Sequence, residues 1–200
     1  MIKEFEKRLI SSIVLIPISI FFIVKGSEFF IFFLSVLFLA TSYEWIKMNK
    51  KNDLLKLLGI IFLFISFYTT LEIRENYNLN DFLLIITICI FTDIGGYLFG
   101  NIFKGPKLTR ISPKKTYSGV FGGFLLSLIA GLIFTNYFFI EQKIFNEDLF
   151  LLIIILFIST ISQIGDLIIS YFKRKAKLKD TGKIIPGHGG LLDRIDGMIF

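Results

Sequence analysis

The chain has 200 residues, 54% of them hydrophobic, with 25 phenylalanines and a net charge of +6. A soluble domain of this size would expose large apolar patches, and a disordered chain has low hydrophobicity, so the composition excludes both classes. It predicts an all-α, polytopic integral membrane helix bundle. The basic excess suits nucleic acid, anionic lipid or an anionic substrate, but in a membrane protein it first reflects loop topology.

Six charge-poor apolar runs predict helices that cross the bilayer, because a span needs about 20 residues. The first two runs are short and are separated only by residues 25–28, which predicts a tight helical hairpin. The first run has no cleavage site after it, so we interpret it as an uncleaved helix rather than a signal peptide. A seventh apolar run, residues 197–200, is the start of a further helix. The six runs are residues 9–24, 29–43, 57–71, 82–103, 120–140 and 149–172.

Lysine and arginine alternate between the loops that these spans create. The N-terminus, the second loop, the fourth loop and the C-terminal segment together carry 19 of the 22 basic residues, and each intervening loop carries one, namely Lys25, Arg74 and Lys143. Basic loops stay in the cytoplasm, so we predict a cytoplasmic N-terminus and six spans. We treat residues 1–200 as a single membrane-embedded domain, with N-terminal spans at 1–80 and a catalytic part at 81–200.

Two aspartates interrupt the apolar runs, Asp93 and Asp166, both toward predicted cytoplasmic helix ends. A charged side chain in the bilayer costs about 2.5–3.5 kcal/mol on insertion scales, so it is normally matched by a cation, a metal or a water-filled cavity. We regard both as candidates for function, with a structural ion pair to a loop lysine as the alternative. Glu44 lies near a helix end, and we interpret it as snorkelling to the membrane surface.

The segment after the sixth run is dense in groups that bind phosphate and metal. Asp166 and Ser170 are four residues apart on one helix face, and Asp193 and Asp196 are three residues apart. Aspartates with other oxygen donors suit Mg²⁺ rather than zinc, which prefers Cys and His. Glycines around His188 allow turns with exposed N–H groups, and nearby lysines and arginines add cations. This combination is typical of phosphoryl or nucleotidyl transfer.

Three stretches resemble motifs of the phosphatidate cytidylyltransferase (CDP-diacylglycerol synthase) family. The longest, residues 170–196, contains SYFKR, KDTG and PGHGGLLDRID at the family's spacing. Residues 93–100, DIGGYLFG, resemble the family's D-x-x-A-Y-x-x-G helix with Gly96 in place of alanine. Residues 111–123, ISPKKTYSGVFGG, resemble its S-P-K-K-T-x-E-G-x-x-G-G loop with Ser118 in place of glutamate.

The resemblance implies transfer of CMP from CTP to phosphatidate, giving CDP-diacylglycerol and pyrophosphate, at the cytoplasmic face of the inner membrane. It implies Mg²⁺, with a monovalent cation such as K⁺, held by Asp166 and Asp193, and a further apolar helix after the aspartate motif. The expected partners are CTP, phosphatidate, the lipid bilayer and a second copy in a homodimer, with no nucleic acid. The residues expected to act in catalysis are Asp166, Asp193, Asp196, Lys173 and Arg194. The residues expected to bind substrate are Asp93, Ser112, Lys114, Lys115, Thr116, Ser170, Arg174, Lys179, Asp180, His188, Gly189 and Gly190.

Two other activities are alternatives on the residues alone. A CDP-alcohol phosphatidyltransferase also handles CDP-lipids with metal, but its D-G-x-x-A-R pattern is absent from the sequence. An ion- or proton-coupled transporter would use Asp93 and Asp166 as relay groups. It would not need a basic, aspartate-rich cytoplasmic segment, and the sequence has no inverted repeat.

Overall fold

A computed structural model describes residues 2–109, 112–138 and 148–200. Within these ranges the elements are helices and no strand is formed. They are α1 (Ile2–Lys25), α2 (Ser27–Met48), α3 (Asp53–Asn76), α4 (Leu79–Phe103), α5 (Tyr117–Phe138), α6 (Asp148–Lys175) and α7 (Leu192–Ile195). Six of them are long and apolar enough to cross a membrane, which confirms the predicted fold class. Arg110 and Ile111 of the fourth loop, and Lys143 with its loop, lie outside the described residues.

The seventh helix is short and lies one turn earlier than the sequence predicts. It occupies Leu192–Ile195, whereas the apolar run at residues 197–200 forms a turn and an irregular end. Asp193 and Arg194 are therefore helical residues. The chain leaves this helix with the N–H group of Ile199 bonded to the carbonyl oxygen of Ile195 at 3.1 Å.

The predicted hairpin between the first two spans is confirmed. Gly26 alone separates α1 from α2, and its φ of +66° is a left-handed conformation that favours glycine. Arg74 of α3 packs against this turn, since its Nε donates a hydrogen bond to the carbonyl oxygen of Ile23 at 2.8 Å. A Cβ atom at Gly26 would lie 2.9 Å from Arg74 Nη2, so both the turn and its neighbour require glycine here.

The described chain divides into two compact units. The first comprises Met1–Leu79, Phe172–Ile195 and Ile199, and the second comprises Asn80–Tyr171, Asp196–Met198 and Phe200. Helix α6 contributes its last residues to the first unit and the rest to the second. The single-domain organisation with a boundary near residue 80 stays a prediction.

In the first unit, the packing of α2 on α3 depends on Trp45 and Gly59. A Cβ atom at Gly59 would collide with the indole ring, so glycine makes room for the tryptophan. Trp45 Nε1 donates to the carbonyl oxygen of Leu55 at 2.9 Å, and the ring meets Phe172 edge-on at 5.0 Å. These contacts fix the C-terminal end of α2, where Glu44 also lies.

In the second unit, glycines allow α4 and α5 to approach closely. A Cβ atom at Gly95 would lie 2.9 Å from Gly123 Cα and would collide with the Gly122 carbonyl group. Between α4 and α6, Thr92 Oγ1 donates to Ser159 Oγ at 2.8 Å, and both residues are buried. Small residues and buried hydroxyl contacts of this kind are typical of packing between membrane helices.

Candidate active site

The carboxylate of Asp193 accepts hydrogen bonds on both of its oxygens. Oδ1 accepts from Lys173 Nζ at 2.8 Å, and the two side chains are only 5% and 10% exposed. Oδ2 accepts from the N–H groups of Thr181 at 2.8 Å and Gly190 at 3.0 Å, and it lies 3.1 Å from the Thr181 hydroxyl. We call these four residues the Asp193 cluster. Charge-assisted hydrogen bonds of this kind hold a carboxylate in one orientation.

The chain reaches the Asp193 cluster through a tight reversal at the end of α6. Lys177 has a φ of +57°, and the N–H groups of Lys177 and Leu178 donate to the carbonyl oxygens of Arg174 and Lys173. Arg174 Nη1 donates to the carbonyl oxygen of Leu178 at 2.9 Å. This left-handed helix end turns the chain back toward α7.

Helix α1 is bound to the turn that carries the histidine. Arg8 Nε donates to the carbonyl oxygen of Gly187 at 2.8 Å, and Ser11 Oγ lies 3.2 Å from the carbonyl oxygen of Pro186. Ser11 Oγ also lies 2.8 Å from His188 Nδ1. The first predicted span therefore supports the site, a role that its apolar sequence does not indicate.

His188 lies in a turn whose next residue, Gly189, has a φ of +94°. Arg194 Nη2 donates to the His188 carbonyl oxygen at 2.7 Å, which closes the turn. Burial lowers the pKa of His188, and the nearby guanidinium groups of Arg194 and Arg8 lower it further. The lowered pKa favours the neutral imidazole, which acts in the described contacts as a hydrogen-bonding group.

Glu44 of α2 is buried beside the Asp193 cluster, so the interpretation that it snorkels is wrong. Only 1% of the residue is exposed. Its Oε1 accepts from the N–H group of Leu191 at 3.0 Å, and its Oε2 accepts from the N–H group of Leu192 at 2.9 Å and the Thr181 hydroxyl at 2.8 Å. The sequence offers only an acidic residue near the end of an apolar run, which snorkelling explains equally well.

In the second unit, Asp166 on α6 has a cation and a hydroxyl group as partners. Its Oδ2 lies 2.5 Å from Lys115 Nζ, and Ser170 Oγ donates to its Oδ1 at 3.3 Å. The predicted pairing of Asp166 with Ser170 on one helix face is confirmed. The loop lysine fits both interpretations of Asp166, a structural ion pair and a carboxylate that acts on phosphate groups.

The loop before α5 forms a compact turn around Lys115. The N–H group of Lys115 donates to the carbonyl oxygen of Ser112 at 3.0 Å. Thr116 Oγ1 accepts from the N–H group of Gly119 at 3.1 Å, so Thr116 caps α5. Lys114 is exposed, whereas Thr116 is buried. The described contacts give Thr116 a structural role and leave Lys114 accessible to an anion.

The remaining predicted residues differ in their surroundings. Asp93 is exposed on α4, and Lys179 and Asp180 are exposed on the segment after α6. Asp196 is only 8% exposed, and a Cβ atom at Gly165 would lie 3.0 Å from its carbonyl oxygen. Asp196 therefore packs against α6 within the second unit.

A basic groove of about 980 Å³ lies in the first unit. Its walls are residues 47–52 and Leu55, from the end of α2 to the start of α3, and residues 175–183 with Gly189, from the end of α6 and the segment after it. No lysine of the groove forms an ion pair with a carboxylate among the described residues, and Asp180 is the acidic residue in its lining. The groove lysines are Lys47, Lys50, Lys51, Lys175, Lys177, Lys179 and Lys183.

Comparison with known proteins identifies the family. The sequence profile of the cytidylyltransferase family matches residues 54–200. This chain belongs to that family. It is 37% identical over 197 residues to the phosphatidate cytidylyltransferase of Rickettsia bellii, covering 96% of this chain and 85% of the relative. It is 38% identical over 199 residues to that of Rickettsia conorii, with the same coverage. It is 40% identical over 139 residues to that of Staphylococcus haemolyticus, covering 68% of this chain and 50% of the relative.

The family resemblance stated from the motifs is thus confirmed, and the transporter alternative gains no support. In this cytidylyltransferase the first unit brings together Lys173 and Asp193, and the second brings together Lys115, Asp166 and Ser170. The two aspartates belong to different units. That they share one metal centre therefore stays a prediction.

The carboxylates of Asp166 and Asp193 are donors that suit Mg²⁺, but neither belongs to a set of three protein ligands among the described residues. In neither unit do the described residues bring three His, Cys, Asp or Glu side chains together as metal ligands. Mg²⁺ often binds through one or two carboxylates and substrate phosphates, with water completing its shell. Asp166 and Asp193 supply such carboxylates, and in the structure a lysine ammonium group pairs with each of them.

Proposed function

We propose that this chain is a phosphatidate cytidylyltransferase, which transfers CMP from CTP to phosphatidate and releases pyrophosphate. The observation that carries the proposal is its likeness, over 96% of its length, to the Rickettsia relatives of that name. The test is pyrophosphate release by the purified full chain in lipid nanodiscs. Release that requires both CTP and phosphatidate supports the proposal, and release that is absent or independent of phosphatidate contradicts it.

The reaction joins two anions. An oxygen of the phosphatidate phosphate forms a bond to the α-phosphorus of CTP, and the bond from that phosphorus to the oxygen bridging to the β-phosphate breaks. The electron pair leaves with pyrophosphate. The attacking phosphate is already anionic near neutral pH, so a strong general base is unnecessary. The main task of the protein is to offset electrostatic repulsion and to hold the groups in line.

Positioned cations address this repulsion. Lys173 and Lys115 each have a carboxylate partner, at 2.8 and 2.5 Å, so each ammonium group is held in place before a phosphate arrives. Lys114 and Arg174 are exposed, and they add positive charge next to Lys115 and Lys173 in the sequence. Mg²⁺, with K⁺ as a second cation, would be held by Asp166 and Asp193 and would neutralise phosphate charge. That assignment rests on the motif resemblance.

The basic groove is the part of the first unit best suited to attract the triphosphate of CTP. Seven lysines and one carboxylate give it a strong positive potential, which raises the local concentration of an anion and its rate of association. The groove also contains Lys179, Asp180 and Gly189, which the motif resemblance assigns to substrate binding.

Removing charge from the groove should weaken CTP binding without abolishing turnover. The variant with Lys50→Gln and Lys51→Gln should raise the apparent KM for CTP about three- to tenfold, and added salt should reduce the difference, because screening weakens such attraction. Steady-state kinetics at two ionic strengths checks both expectations. The matched control carries Lys104→Gln and Lys107→Gln, the same charge change in the fourth loop. An equal rise in KM in the control, or a rise in KM for phosphatidate alone, would contradict a CTP-binding groove.

The active site is proposed to face the cytoplasm from the inner membrane, where CTP is available. The alternating loop charges support this orientation.

A homodimer also stays a prediction, which sedimentation of the detergent-purified chain would test.

Cysteine labelling tests the orientation. Cys89 is buried, so a Cys89→Ala background leaves a chain without cysteine. In that background, the Lys183→Cys variant should resist an impermeant maleimide in intact cells and react once the membrane is opened. The Asn78→Cys variant, in the loop after the third span, should react from outside. Both positions are exposed. Labelling of the Lys183→Cys variant in intact cells would place the Asp193 cluster on the side without CTP.

A further inference from the structure

Glu44 is the most completely buried carboxylate near the proposed site, and motif resemblance assigns it no role. It lies in α2 at 1% exposure, and its two oxygens accept three hydrogen bonds at 2.8–3.0 Å. Among the described residues no Lys or Arg forms an ion pair with it. Burying a charged group costs free energy unless its hydrogen bonds are satisfied. The three donors must therefore keep their positions around Glu44, just as Glu44 keeps its position among them.

The segment that surrounds Glu44 is shaped to fit it. A Cβ atom at Gly182 would lie 2.9 Å from Glu44 Cδ, and a Cβ atom at Gly190 would lie 2.6 Å from Glu44 Oε2. Two glycines therefore let the backbone close around the carboxylate from both sides. The N–H groups of Leu191 and Leu192 then point at its oxygens.

One hydroxyl group connects Glu44 to Asp193. Thr181 Oγ1 lies 2.8 Å from Glu44 Oε2 and 3.1 Å from Asp193 Oδ2, while the N–H group of Thr181 donates to the same Asp193 oxygen at 2.8 Å. Gly190, which packs on Glu44, also donates its N–H group to that oxygen. Two of the donors that orient Asp193 are therefore placed by contacts with Glu44.

We infer that Glu44 is a positioning residue for the transfer reaction. It holds Thr181 and Gly190 so that the Asp193 carboxylate keeps one orientation, with Oδ1 facing Lys173. This inference rests on the proposed function, because it assigns Asp193 to the reacting site. Glu44 acts through these residues and need not contact CTP or phosphatidate.

The Glu44→Gln variant of the full chain in nanodiscs tests this inference. Glutamine keeps the size but turns one acceptor into a donor, so kcat should fall about tenfold or more, as expected for a lost hydrogen bond to a charged group, while KM for both substrates changes little. Amide hydrogen exchange in peptides covering residues 181–193 should accelerate, and exchange in α3 should not. The control is Glu28→Gln, an exposed carboxylate on the same helix, which should change neither readout.

Two Thr181 variants keep the test informative if Glu44→Gln folds poorly. Thr181→Val removes the hydroxyl at similar volume and should lower kcat, whereas Thr181→Ser should retain most of it. If Glu44 acts through Thr181, the double variant with Glu44→Gln and Thr181→Val should lose no more than the more damaging single variant. Fully additive losses, or unchanged kcat and exchange in Glu44→Gln, would overturn the inference. If the unmodified chain shows no turnover, the proposed function fails, and the exchange measurement still tests whether Glu44 holds the segment.

Discussion

The Asp193→Asn variant is expected to lower turnover by about 100-fold or more, as does removal of one preorganised electrostatic group in other active sites. Asparagine keeps the shape but loses the charge that faces Lys173. Its NH₂ group would also point either at that ammonium or at the N–H groups of Thr181 and Gly190, so one contact pairs donor with donor. Pyrophosphate release at saturating CTP and phosphatidate measures the loss.

A second variant separates lost chemistry from lost stability at this position. Removing one partner of a buried ion pair costs about 3–5 kcal/mol, whereas removing both charges is often neutral. Adding Lys173→Met to Asp193→Asn should therefore restore thermal stability but not turnover. The ion pair of Lys56 with the exposed Asp53 provides the control, and Asp53→Asn should leave turnover normal. Near-normal activity of Asp193→Asn would remove this aspartate from the site.

The Asp166→Asn variant is also expected to lose about 100-fold or more in turnover, for the same electrostatic reason. Its carboxylate is the counter-charge of Lys115 at 2.5 Å, so the lysine would be left beside a neutral amide. The same assay measures the effect, and the membrane-inserted yield of the variant shows whether the chain still folds.

Removing Lys115 as well distinguishes the two interpretations of this ion pair. If Asp166 and Lys115 serve only in packing, the variant with Asp166→Asn and Lys115→Met should recover activity, because no unpaired charge remains. If Asp166 acts on substrate or metal, the double variant should stay inactive. Recovery above about one third of normal turnover would favour packing, since a lost electrostatic group costs far more than that.

Much of the fold was predictable because it depends on signals that act locally along the chain. Span length and loop charge predict the six helices, and a single residue, Gly26, makes the predicted hairpin. The pairing of Asp166 with Ser170 follows from helix periodicity. The position of α7 did not follow, because the hydrophobic run at residues 197–200 is a stronger signal than the four helical residues before it.

The residues that shape the site from a distance were not predictable. Glu44 is 147 residues from Leu191 in sequence, and Ser11 is 177 residues from His188. No periodicity or spacing rule links such positions. An ion pair between Asp166 and a loop lysine was one of the two interpretations of the sequence, but nothing in the sequence identified Lys115 as that lysine. The motifs indicated the chemistry of the site, whereas the residues that hold it in place could be identified only from tertiary contacts.

The bonds between Arg8 and the turn at Gly187 have a consequence for biosynthesis. The two residues are 179 positions apart, so at about 5–20 residues per second a ribosome needs on the order of ten seconds or more to supply the second after the first. During that interval Arg8, Ser11 and Glu44 have been synthesised, whereas the residues that they contact have not. The contacts around His188 and Asp193 therefore cannot form until the segment after α6 has been synthesised, so a nascent chain that carries only α1 to α5 lacks them.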